Sequence, residues 1–99
     1  MTNQSNPNEN QKIVTQTVIV ANEKGLHVRP CYMIADAARK YQSNIEMQCE
    51  DRIVNANSVL DLLRIQAPHG SSVTIRIVGI DAEEAMSEIK NLIESVFSF

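Results

Sequence analysis

Apolar residues alternate with polar ones in several stretches of this chain, and between them the spacing lengthens to three and four. From Val14 to Val20, the residues Val14, Val18 and Val20 share one parity while Thr15 and Thr17 fall on the other, the period of a half-buried strand. Ile45, Met47 and Cys49 repeat that period, as do Val73, Ile75 and Ile77, with Thr74 and Arg76 on the opposite face. The run RIVNA, up to Ala56, is short, and Glu50 with Asp51 before it supplies a tight turn; together they predict a short strand closing a hairpin. Helical spacing marks the rest. Val28 to Tyr41 carries a stripe through Cys31, Ile34, Ala35 and Ala38. Asn57 to about Ile65 carries Val59, Leu62 and Leu63, and stops before Pro68 and Gly70. Asp81 and Glu84 form a capping-box-like start for a last helix with Ala82, Ala85, Met86, Ile89, Ile93 and Val96 inward.

The predicted order is β-α-β-β-α-β-α. One-sided strands need cover and one-sided helices need a floor, so the expected fold is a two-layer α/β (α+β) domain, an antiparallel or mixed sheet with all helices on one face. Residues 1–12, rich in Asn, Gln and Ser, are expected to be a flexible polar tail, and 13–99 a single domain.

Composition narrows the function classes. The chain has 99 residues, 43% of them hydrophobic, enough for one core and too few for a deep enclosed cavity. A formal charge of -3 with only 9 Lys plus Arg argues against a nucleic-acid partner. No apolar run approaches the roughly 20 residues of a membrane span, and MTNQSNPNEN lacks a secretory pattern, so a cytoplasmic protein without membrane insertion is expected. Cys31 and Cys49 sit inside apolar patterns and are expected to be reduced, buried thiols.

The candidate chemistry lies in Asn22–Cys31, at the junction of the first strand and first helix. Gly25 permits a sharp turn, and Pro30 is best tolerated in the first turn of a helix, which puts His27 at or just before the first helical residue. A helix start offers unpaired N–H groups and the positive end of the backbone dipole, an arrangement that favours anions. Arg29 adds a planar cation suited to phosphate oxygens. An imidazole in ordinary surroundings is largely neutral at pH 7 and keeps one ring nitrogen free to attack phosphorus. Phosphoryl transfer is mostly positioning and charge stabilisation, so this set suits a carrier better than a complete enzyme. The plainer alternative is that Gly25, His27 and Pro30 only build a strand-to-helix turn. A metal site is another, since His27, Cys31, Cys49 and His69 add up to a Cys2His2 set, although without the close ligand pairs of structural zinc.

In this position GLHVRPC resembles the active-site signature of the HPr family, the histidine phosphocarriers of the bacterial phosphoenolpyruvate-dependent phosphotransferase system. The resemblance runs from about Val14 to Glu94 and includes NANSVLDLLRI. It implies a four-stranded antiparallel sheet of order 1-4-2-3 under three helices. It also implies phosphorylation of His27 on Nδ1 by enzyme I, with Arg29 stabilising the phosphate and enzyme IIA-type components as acceptors. No bound cofactor or metal is implied; Mg2+ and phosphoenolpyruvate are needed by enzyme I. Ser58 matches the position modified by HPr kinase/phosphorylase, though with Asp61 it also reads as an ordinary capping box. Val59 and Leu60 match a docking patch for enzyme I and the permease subunits, while helical spacing also allows either to face the core.

Tyr32 stands beside the active site where the family usually has a small residue, so it is a candidate for setting partner choice. Lys24 replaces a small polar residue, and Asp61 lies on a surface often neutral or basic in the family. ANSVLDLL further resembles the nitrogen-related branch, which regulates rather than feeds sugar uptake, and one relative lacks the histidine and works by binding. A shuttle must release each partner quickly, so transient encounters and a monomer are expected.

Overall fold

The computed structural model describes residues 12–95. Its elements follow in the order β1 (Lys12–Ile19), α1 (Val28–Ala38), β2 (Asn44–Cys49), β3 (Arg52–Asn55), α2 (Val59–Ile65), β4 (Ser72–Gly79) and α3 (Ala82–Glu94). The strands form one antiparallel sheet in the order β1-β4-β2-β3. This is the two-layer α+β fold expected from the pattern, with the strand order that the resemblance implied.

Alternation decides which face is covered. Val18, Ile45, Met47, Val73, Ile75 and Ile77 are buried against Ile34, Leu62, Met86, Ile89 and Ile93 of the helices. Removing a side chain such as Ile75 from water contributes about 1.5–3 kcal/mol. The opposite face holds Ile13, Thr15, Thr17, Arg76 and Ile53, which are exposed. In β1 the covered face is incomplete, for Val14 is half-buried and Gln16 exposed.

Three boundaries differ from the expectation. Lys12, counted with the tail, already belongs to β1, because its Cα pairs with Gly79; residues 1–11 of that tail lie outside the described residues. Helix α1 ends at Ala38 rather than Tyr41, since Lys40 N–H and Tyr41 N–H bond the carbonyls of Ala37 and Ala38 at 3.1 and 3.2 Å, a three-residue spacing that tightens the chain out of the α-helix. Helix α2 begins at Val59, with Asn57 in the turn before it and Ser58 as its N-cap. Gln66, left-handed at φ 51, stops it two residues before Pro68.

The hairpin turn at Glu50 and Asp51 forms as expected, with Glu50 at φ 57. The capping box at α3 does not. The Asp81 side chain makes no cap bond and reaches across to the turn after α1, accepting from Gln42 N–H at 2.9 Å, Ser43 N–H at 3.0 Å and the Ser43 hydroxyl. These donors hold its carboxyl below the usual carboxylate range, the Ser43 hydroxyl contributing most. Val96 of the expected stripe lies outside the described residues.

Candidate functional site at the start of α1

Beyond β1, Val20 stays tied to the sheet edge through Ser71 O and Gly70 N–H, and the chain then turns. Asn22 organises that turn: its side-chain oxygen accepts from Lys24 N–H at 2.9 Å and its carbonyl from Gly25 N–H at 2.9 Å. Gly25 sits at φ +72, and a Cβ there would fall 2.5 Å from the Ala67 carbonyl oxygen, so glycine is required for both conformation and space. Leu26 N–H donates to the same Ala67 oxygen at 2.9 Å, pinning the turn to the segment after α2.

This scaffold delivers His27 to the N-cap of α1. Its backbone is extended, at φ -86 and ψ -169, and its carbonyl accepts the first helical bond from Cys31 N–H at 3.1 Å. Its side chain caps nothing. The half-buried ring turns back instead, with Nδ1 3.0 Å from the Gly25 carbonyl oxygen. A carbonyl only accepts, so in this arrangement Nδ1 carries the hydrogen and a neutral ring has its lone pair on Nε2.

The first turn of α1 contains no acidic residue, and among the described residues no side chain caps its amides. Val28 and Arg29 precede any intrahelical acceptor, and Pro30 has no N–H to offer. Arg29 is exposed. A positive helix end, an open pair of amides and an exposed cation thus lie beside an imidazole, an arrangement that can hold an anion next to a nucleophilic nitrogen.

The other expected residues take different places. Tyr32 and Leu60 are 60% and 71% exposed, so Leu60 does not face the core. Val59 does in part, packing half-buried against it. Ser58 is half-buried, and its hydroxyl oxygen accepts from Asp61 N–H at 3.2 Å, which realises the capping half of its reading. Cys31 is fully buried, donates to the Leu26 carbonyl at 3.4 Å, and is pushed up to about 11 by burial, so it stays a thiol. Among the described residues no group of three or more His, Cys, Asp or Glu is placed to hold a metal ion, so the Cys2His2 set is not assembled.

Sequence reasoning did not single out Asn22, whose spacing to Gly25 was the available turn signal, nor Val28. Val28 is 59% exposed and four residues from Tyr32, so the two form an outward apolar strip beside His27.

A family model described as the PTS HPr component phosphorylation site matches residues 14–95. The chain is similar to the phosphocarrier protein HPr of Xylella fastidiosa (strain 9a5c), with 33% identity over 82% of this chain and 91% of the relative. It is also 33% identical to the phosphocarrier protein HPr of Treponema pallidum (strain Nichols), over 86% of this chain and 97% of the relative. Its fold is similar to the crystal structure of a phosphocarrier protein HPr from Bacillus anthracis str. Ames, with a TM-score of 0.78 and 28% identity, covering 82% of this chain and 96% of that one.

Proposed function

This chain belongs to the HPr phosphocarrier family of the phosphotransferase system, and on that premise we propose that His27 accepts a phosphoryl group from phospho-enzyme I and passes it to enzyme IIA-type components. The observation that carries the reading is the acid-free start of α1, without a side-chain cap from its N-cap residue His27.

For Nδ1 to attack, the ring releases the Gly25 carbonyl and takes the tautomer with its proton on Nε2. The N–P bond then forms as phosphorus leaves the donor, and the proton remains on Nε2. The freed phosphoryl oxygens meet the Val28 and Arg29 amides and the Arg29 guanidinium. Onward transfer reverses these steps toward the acceptor. Mg2+ and phosphoenolpyruvate serve the donor enzyme, and the carrier uses no cofactor of its own. Tyr32, Val59 and Leu60 contribute to docking, in transient encounters at a cytoplasmic location. Among the described residues no helix is long and apolar enough to cross a membrane. Ser58 serves as a second phosphorylation site for an HPr kinase/phosphorylase, where added charge at the start of α2 alters partner choice more than folding.

The test is incubation with enzyme I, phosphoenolpyruvate and Mg2+, followed by intact-mass measurement of wild type and His27→Ala. One acid-labile phosphoryl group, absent from the variant, is expected. A folded wild type that stays unmodified by several enzyme I preparations would instead make the chain a binding module.

A further inference from the structure

The two edges of the sheet are unlike. β3 is an edge of four residues opened by Arg52 and preceded by Asp51, short and charged as exposed edges usually are. β1 is an edge of eight residues, pairing among the described residues only with β4, and its stretch Ile13–Ile19 contains no charge and no proline. That stretch reads Ile-Val-Thr-Gln-Thr-Val-Ile, the same in both directions about Gln16.

We propose that β1 is a self-pairing edge, joining a second copy of this chain as an antiparallel β1–β1 ladder centred on Gln16. In that register a two-fold axis passes beside Gln16, so Ile13 faces the second copy's residue 19, Val14 its residue 18, Thr15 its residue 17 and Gln16 its own counterpart. Every pair is like with like. β-Branched and Thr–Thr pairs are favourable across antiparallel strands, and the absence of charge removes the repulsion that identical pairing otherwise brings.

Backbone parity agrees. Val20 directs both its N–H and its C=O toward the β4 side, to Ser71 O and Gly70 N–H. Alternation along the strand then turns the groups of Ile13, Thr15, Thr17 and Ile19 outward to the free edge. The Gln16-centred register matches outward residues only with outward residues, so each such pair exchanges both bonds.

Room exists on the helix side as well. Beside β1 runs an open groove of about 380 Å³ lined by Val14, Gln16, Glu83, Met86, Ser87 and Lys90, among others. It opens on the face to which the second copy's inward side chains would turn, and the two-fold axis brings the Glu83 end of one groove toward the Lys90 end of the other. His27 lies in the connection after the paired stretch, so the self-pairing is independent of phosphoryl transfer. It also revises the expectation of a monomer, which followed only from the need to release other partners.

Sedimentation of the full chain tests this. Wild type is expected to shift from monomer toward dimer mass between micromolar and millimolar concentration. Because Gln16 faces itself, Gln16→Lys and Gln16→Glu each place like charges in direct opposition, and each is expected to weaken the dimer by about tenfold or more. An equimolar mixture of the two variants restores it. Circular dichroism confirms folding, which the exposed position leaves intact. A wild type that stays monomeric throughout, variants that dimerise as wild type does, or a mixture that fails to recover the dimer would each overturn the proposal.

Discussion

At the start of α3 the chain places Asp81, Glu83 and Glu84; at the start of α1 it places His27, Val28, Arg29 and Pro30, with no acid in the first turn. Both helix ends carry the same partial positive charge from their backbones. In α3 that field is met from within the chain: two glutamates sit in the first turn, one of them holding Lys12 at 3.0 Å. Asp81 is turned to a structural use across the fold, on the backbone of Gln42 and Ser43. In α1, among the described residues, no side chain meets the field. His27 bonds backward to Gly25, and Pro30 removes one amide rather than satisfying it. A helix start left open at some expense in stability is a place kept for an external anion, and a phosphoryl group on the adjacent imidazole is such an anion.

Making α1 resemble α3 should therefore separate function from stability. Arg29→Glu is expected to slow phosphoryl acceptance by about 100-fold, the scale on which loss of one stabilising donor acts. Thermal or denaturant unfolding of the same variant should show unchanged or slightly raised stability, by about 0.3–1 kcal/mol, because an acid suits a helix start. Equal acceptance rates in variant and wild type would break the comparison.

The converse change is Asp81→Ala. Losing its bonds to Gln42 and Ser43 should lower stability by about 1–3 kcal/mol and leave phosphoryl acceptance unaltered. Since the folded protein holds the Asp81 carboxyl below the ordinary range, its contribution is complete above about pH 4 and is lost as pH falls through the lowered value. The variant should show a flatter acid limb in a pH series of unfolding curves. Glu88, lowered chiefly by the Tyr41 hydroxyl and then by Lys40, leaves a residual slope in both proteins.

The same contrast shows what was legible beforehand. Period and spacing located all seven elements, because alternation and helical stripes are imposed by the single core they share. The position of His27 was legible too, since Gly25 and Pro30 constrain the backbone on either side of it. Most of what escaped were side chains whose partners lie far along the chain. Asp81 with Glu84 looks local, yet its partners are 38 and 39 positions away, brought near only when β4 lies beside β2. The end of α1 was missed for a related reason: Tyr41 continues the apolar pattern but leaves the helix, bonding Glu88 of α3 through its hydroxyl. The turn of His27 Nδ1 to the Gly25 carbonyl depends on a rotamer that no spacing encodes.

Helix α2 supplies an intermediate case and the smallest expected effect. Its N-cap, Ser58, fills the start with its own oxygen, and Asp61 stands in the first turn. Ser58→Ala should cost about 1 kcal/mol in an unfolding titration, the usual value of a lost cap, while Ser58→Asp should restore most of it. If the role of Ser58 were only to cap, both variants would accept phosphoryl groups and reach acceptors at the wild-type rate. If charge at this start also governs docking, Ser58→Asp alone slows transfer, because it adds a negative charge beside exposed Leu60 while leaving the helix capped. Stability and transfer measured on the same two variants thus distinguish a helix start closed for folding from one that is closed and also read by a partner.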